Sequence, residues 1–171
     1  RREDSDKYST NLLDKFSKNP VFAVSEFVTD CQKYGAKTYS SHYSQLEAAG
    51  CHKALRAEVF KKWKSDPFSD ANQVINDIKY LDDNFGLPSI PKEGKLLEQL
   101  GEILKPERNP PLTEKELKII KNAYKEWGDD VKQLLLPIIQ RSVESFYNLG
   151  LVYSVFGGER KFGVQLLKDA N

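Results

Sequence analysis

The chain contains no methionine, only two cysteines and only two histidines, and its charges nearly cancel, with 26 Lys and Arg against 25 Asp and Glu in 171 residues. Each shortage excludes something. A formal charge of +1 supplies no chain-wide field for a nucleic-acid backbone, so nucleic-acid binding is not expected. The longest stretch without an acidic or basic residue, Ser145 to Gly158, has fourteen residues. That is short of the roughly 18 that a spanning helix requires, so no transmembrane segment is expected. No Asn-x-Ser/Thr acceptor for glycosylation occurs. With no Met and an opening Arg1-Arg2-Glu3, the chain reads as a trimmed mature region whose targeting segment has been removed, and a removed anchor after Asn171 is compatible with that reading.

What is present is the balance of a folded domain, 39% hydrophobic and 30% charged. Apolar residues recur at helical spacing, and five glycines (Gly35, Gly50, Gly86, Gly128 and Gly150) each follow such a stretch, where a left-handed helix cap belongs. A first helix spans Tyr8 to Ser17. Asn19-Pro20 then opens a second, with Val21, Val24, Phe27, Val28, Cys31 and Tyr34 on one side. A short third helix lies around Tyr43 to Ala49, and in a fourth Cys51, Leu55, Val59 and Trp63 repeat every four residues until Pro67. The fifth starts near Ser69 or Asp70 and carries Val74, Ile75, Ile78, Leu81 and Phe85. Leu96 to Leu104 is a sixth, set between Pro88-Pro91 and Pro106. Thr113-Glu114-Lys115-Glu116 is a capping box, with Leu112 and Leu117 placed to form a hydrophobic staple, and opens a seventh that runs to Trp127. An eighth follows Asp129-Asp130, bent or divided at Pro137, and a last one follows Gly157-Gly158. No period-2 hairpin pattern appears. The expectation is an all-α, compact bundle of eight or nine short-to-medium helices, a single domain over residues 1–171, with a possible two-lobe division near residues 105–112.

The scarce residues are the first candidates for chemistry. Cys31, His42, Cys51 and His52 match no zinc spacing, and adjacent Cys51 and His52 point about 100° apart on a helix. A Cys31–His42 nucleophile pair lacks an identifiable oxyanion loop or orienting group. Gly158 to Gly163 has the glycine spacing of a phosphate loop, but Val164-Gln165 stands where Lys and Ser/Thr belong. Asp82 to Glu93 fails as a calcium loop, since Leu87 occupies its glycine position. No catalytic residue, metal or cofactor is therefore expected. The even cysteine count and the absence of a CxxC favour a disulfide between Cys31 and Cys51, worth roughly 3 kcal/mol and implying an oxidising compartment, over two buried thiols packed as small apolar groups.

Two surface features remain. Lys53, Arg56, Lys61, Lys62 and Lys64 stand against Glu58 alone, although Trp63 among them belongs to the apolar stripe. Tyrosines are numerous, with Tyr39, Tyr43, Tyr147 and Tyr153 near helix ends or loops, and tyrosine serves at recognition surfaces because it is half apolar and half polar. Val59-Phe60-Lys61-Lys62-Trp63, followed by Pro67 and Val74, resembles the Trp-bearing helix of the secreted helical effectors of plant-pathogenic oomycetes, over less than a tenth of the chain and without the later part of that pattern. In composition the chain is similar to small Lys- and Tyr-rich helical surface antigens of blood parasites. The functional expectation is a non-enzymatic helical interaction module, secreted or displayed at a cell surface as an antigen, adhesin or host-directed effector. It would bind a protein partner through Lys53, Arg56, Lys61, Lys62, Tyr39, Tyr43, Tyr147 and Tyr153. Two alternatives stand beside it: a carrier holding an apolar or lipid-like ligand against the eighth helix and Leu151 to Phe156, and a cytoplasmic location if the cysteines are free.

Overall fold

The computed structural model of the chain describes residues 2–66, 69–86, 93–105 and 113–134. Within them the protein is all-α, and no strand occurs among the described residues. The elements are α1 (Arg2–Lys18), α2 (Pro20–Tyr34), a 3-10 turn (Ala36–Tyr39), α3 (Ser40–Ala48), α4 (Cys51–Ser65), α5 (Asn72–Phe85), α6 (Glu93–Ile103) and α7 (Glu114–Trp127). Residues 129–134 are helical as well. The expected bend at Pro137, the last helix, the staple residue Leu112 and the turns at Pro67, Pro88 and Pro91 lie outside the described residues.

Local chemistry explains most boundaries. Asn19 accepts a hydrogen bond from the Phe22 amide at 3.2 Å, and Pro20 follows it in the first turn, where its missing N–H costs nothing. The capping box forms as read: Thr113 Oγ1 accepts from the Glu116 amide at 3.3 Å, and Glu116 Oε1 accepts from the Thr113 amide at 3.2 Å. Gly35, Gly50 and Gly128 have φ of 97°, 84° and 63°, which L side chains resist. Gly86 differs from the expected left-handed cap, since its φ is −69° and the chain leaves α5 extended. Helix α1 begins six residues before the expected Tyr8. Its polar first turns carry no apolar stripe, but Glu3 and Asp4 at the start and Lys15 and Lys18 at the end suit the helix dipole.

The chain divides into two compact units, Arg1–Lys62 with Asp70–Lys95, and Trp63–Ser69 with Leu96–Asn171. In the first, Leu12 and Phe16 of α1, Val24 and Phe27 of α2, Leu46 of α3, Leu55 and Val59 of α4, and Val74, Ile78 and Leu81 of α5 form the core. Phe27 is wholly buried and contributes roughly 2 to 3 kcal/mol by leaving water. In the second unit, Trp63 packs with its ring 3.4 Å from the place a Cβ would take at Gly101. Leu97, Leu100, Leu117, Ile120 and Val131 are buried in the same unit.

The expected disulfide is corrected: Cys31 and Cys51 are two separate buried thiols. They belong to different neighbourhoods. Cys31, on α2, lies near Tyr8, Tyr39 and Tyr80, whereas Cys51, at the start of α4, lies near Tyr43, Glu47 and Glu93. Each packs as a small apolar group, the other reading of the pair.

Candidate functional site

The chemistry of the first unit is organised along a run of aromatic rings. Tyr8 lies 5.4 Å from Tyr39, Tyr39 meets Phe27 edge-on at 5.9 Å, and Phe27 lies 6.1 Å from Phe85. Phe85 stacks on Tyr43 at 4.4 Å with only 16° between the planes. Offset and edge-to-face contacts of this kind add about 0.5–1.5 kcal/mol each beyond simple burial. A histidine stands at either end.

At one end, His42 is buried between Tyr8 at 4.7 Å and Tyr39 at 5.9 Å, and its Nδ1 shares a 2.7 Å hydrogen bond with Ser9 Oγ. Burial lowers the His42 pKa, so the neutral ring is favoured. The Tyr8 hydroxyl beside it donates to Asp30 Oδ2 at 2.9 Å. That bond and burial push the Tyr8 phenol well above its ordinary value. Ser9 and His42 do not form a nucleophilic pair of the familiar kind. Both are buried, and the serine meets Nδ1, the nitrogen that an orienting carboxylate ordinarily holds.

At the other end, His52 Nε2 lies 3.0 Å from the Tyr43 hydroxyl and 3.7 Å from Asp82 Oδ1. Asp82 Oδ2 in turn accepts from the Gly94 amide at 2.9 Å, and Arg56 donates to Glu93 Oε1 at 3.0 Å. Burial raises the Glu93 pKa in spite of Arg56, and raises that of Tyr43 as well. Cys31 and Cys51 are pushed up to about 11 and about 12, chiefly by burial, which makes both poor nucleophiles. Among the described residues, no group of three or more His, Cys, Asp or Glu is arranged to hold a metal ion.

The residues expected to face a partner divide. Tyr43 is only 5% exposed and is built into the aromatic run, so it is corrected from a contact residue to a core residue. Tyr39 is half-buried in the same run. Arg56 is spent on Glu93, and Lys64 lies 3.6 Å from Asp130 Oδ1. Lys62 is half-buried and engaged, leaving Lys53 and Lys61 as exposed members of the basic stretch. Trp63, Val59 and Phe60 are core, so the apolar residues of the piece that resembles the effector helix face inward. Tyr147, Tyr153, the stretch from Ser145 to Gly158 and the loop from Gly158 to Gly163 lie outside the described residues.

Exposure falls elsewhere. Tyr34 at the end of α2 is 59% exposed and Phe22 near its start 54%, and the Lys33 ammonium lies 5.1 Å from the centre of the Tyr34 ring. Tyr34 is in register with the buried Cys31 and Phe27, and for that reason the sequence puts it on the apolar face. The helix ends at Tyr34, however, beyond the core that its earlier turns cover. The polar Gln32-Lys33 before it and Gly35 after it are the signal of a projecting end. In the second unit, a groove of about 650 Å³ between the end of α6 and the start of α7 is lined by Gln99, Glu102, Ile103, Lys105, Thr113, Lys115, Glu116 and Ile119. Four of these are charged, which suits neither a lipid nor another apolar cargo.

Compared with protein-family models, curated proteins and solved structures, the chain matches none.

Proposed function

We propose that this chain is a helical protein-interaction module without enzymatic activity of its own, and that Tyr34 is the anchor it offers to a protein partner. The observation that carries the reading is the exposed, pre-oriented ring: 59% of Tyr34 faces water while a cation sits over its face. Large amphipathic rings bury much area on binding at small entropic cost, which is why tyrosine recurs among interface anchors. Holding the ring beforehand lowers that cost further. The backbone behind it is also fixed. The Gly35 amide donates to the Cys31 carbonyl at 2.8 Å, and Thr38 Oγ1 donates to the Tyr34 carbonyl at 3.5 Å. Lys33 over the ring and Lys37 three residues after Tyr34 in sequence are both exposed, so an acidic or carbonyl-rich partner surface suits it. With Cys31 and Cys51 as separate thiols, the disulfide argument for an oxidising compartment falls away.

Site-directed photo-crosslinking tests it. A benzophenone side chain at position 34, in cells that make the protein, is expected to yield one discrete protein adduct. Excess parent chain should compete it away, and excess Tyr34→Ala chain should not. The same probe at exposed Gln45 on α3 should give no such adduct. Identical adducts at both positions, or competition by Tyr34→Ala, would refute the assignment.

A further inference from the structure

We propose that the outer face of α7, where Lys115, Lys118, Lys121 and Lys125 stand in one unpaired row, docks the chain on an anionic lipid surface. The inference is independent of the role given to Tyr34, which belongs to the other unit.

Helical spacing makes the row. At about 100° per residue the four lysines fall within an arc of about 120° centred on Lys118, and a rise of about 1.5 Å per residue strings them over about 15 Å. Leu117, Ile120, Ala123 and Trp127 are buried on the opposite side, so α7 gives its apolar stripe to the core and turns its lysines to water. Lys115, Lys118 and Lys125 are exposed and Lys121 is half-buried, with exposed Asn122 among them. None of the four has an ion-pair partner among the described residues, unlike Lys64 and Lys105 of the same unit. The acids nearby are placed otherwise. Glu114 and Glu126 stand at the two ends of the row, and Glu116 is turned back into the capping box. Glu102, across the groove from Lys115, is paired with Lys105, and of Asp129 and Asp130 beyond Gly128 the second is paired with Lys64. Four lysines against the two end glutamates leave two positive charges over on this face, and its span from Lys115 to Lys125 holds no acid.

The chemistry of the row selects the partner. A protein partner is gripped by aromatic or arginine anchors in an apolar setting, and this arc offers neither; lysine is the residue that protein interfaces are short of. Lysine is also a compact point charge without the planar fork that seats a single phosphate, so it suits a diffuse layer of negative charge better than one defined anion. An anionic leaflet is such a layer. Its surface potential attracts a basic helix face and dies away within a Debye length of about 8–10 Å. Over that distance the lysine row counts, and the near-zero charge of the whole chain does not. No apolar side chain falls within the arc, so the helix rests on the headgroups without inserting, and the contact is reversible and sensitive to salt.

Sedimentation of the whole chain with vesicles, at about 50 mM salt, tests the docking. Phosphatidylcholine vesicles containing about a third phosphatidylserine are expected to bind about tenfold or more better than phosphatidylcholine alone, and about 0.5 M salt should abolish the difference. Lys118→Glu combined with Lys125→Glu, both at exposed sites, should bring binding down to the level of the neutral vesicles. Lys33→Glu combined with Lys37→Glu, in the first unit, should leave it unchanged. Circular dichroism establishes that each variant is folded. Should the glutamate pair at 118 and 125 fail to fold, Lys118→Gln with Lys125→Gln takes its place and is expected to lose about threefold or more. Equal binding to the two kinds of vesicle, binding that survives in the α7 variants, or an equal loss in the variant at 33 and 37 overturns the proposal. Duplex DNA or polyglutamate that displaces the parent chain from the anionic vesicles at equal charge overturns it too, because the row would then serve a nucleic acid or an acidic protein.

Discussion

Asp77 is the residue at which the fold works against itself. It stands on α5 in phase with Val74 and Leu81, is only 9% exposed, and its Oδ2 is buried with no hydrogen-bond partner. Burial raises its pKa from 3.8 to about 6. The folded chain therefore holds the Asp77 proton more tightly than the unfolded chain does. For a carboxylate shifted in this direction, the stability contribution is largest at low pH and is lost as pH rises. The loss begins above the unfolded value near 3.8 and is complete above about 6, at up to about 1.4 kcal/mol per pH unit. A gap of about two units amounts to about 3 kcal/mol of strain at neutral pH, a large part of the roughly 5–15 kcal/mol that holds most domains together.

Asp77→Asn keeps the shape and removes the charge. Its amide still has to be buried beside the same unpartnered position, which costs about 1 to 2 kcal/mol. The net expectation is a gain of about 1 to 2 kcal/mol at about pH 7.5, and a loss of about 1 kcal/mol at about pH 4, where Asp77 in the parent is itself neutral. Urea unfolding followed by circular dichroism, run in parallel on both chains across that range, measures the difference. Taking the difference cancels every other titrating group that the two chains share. A difference that does not change with pH would refute the reasoning, because it would mean that the Asp77 carboxylate is solvated as well in the folded chain as in the unfolded one.

Two further outcomes follow from packing and from thiol burial. Gly94→Ala should cost about 2 to 3 kcal/mol or more, because its Cβ would press on backbone atoms of Lys79, whereas Gly101→Ala meets only the Trp63 ring at 3.4 Å and should be neutral or stabilising by up to about 1 kcal/mol; paired urea midpoints decide. Cys31 and Cys51, with pKa values near 11 and 12, should react slowly with a thiol reagent in the folded chain and fully on unfolding without reductant, and an intact mass two hydrogens light would contradict the free pair.

The helices were legible where the signal was local. The four-residue recurrence of Leu55, Val59 and Trp63, the Asn19-Pro20 start and the Thr113 to Glu116 box each involve residues within a few positions of one another, and all are realised. What could not be read is what the fold brings from afar. Ser9 meets His42 across 33 positions, Tyr8 meets Asp30 across 22, and Arg56 meets Glu93 across 37. No periodicity within one helix specifies such partners, so Tyr43 read as a surface phenol when its ring stacks on Phe85 and its hydroxyl meets His52. Asp77 is a different case. A carboxylate three residues after Val74 and four before Leu81 falls on the buried stripe of a strongly amphipathic helix, so its burial was written in the spacing.

The two histidines show why residue type alone could not assign them. His42 is buried with two aromatic rings and a serine about it, so a proton there brings a charge into a poorly solvated cage. Its lowered pKa means that His42 contributes to stability above the ordinary histidine range and that the contribution is lost as pH falls. His52 instead has polar neighbours, with the Tyr43 hydroxyl at 3.0 Å and Asp82 Oδ1 at 3.7 Å from its Nε2. The run from Tyr8 and Tyr39 through Phe27 and Phe85 to Tyr43 joins these two settings in one packed unit. Acidification therefore loosens the contact of α1 with α3, which the Ser9–His42 bond spans.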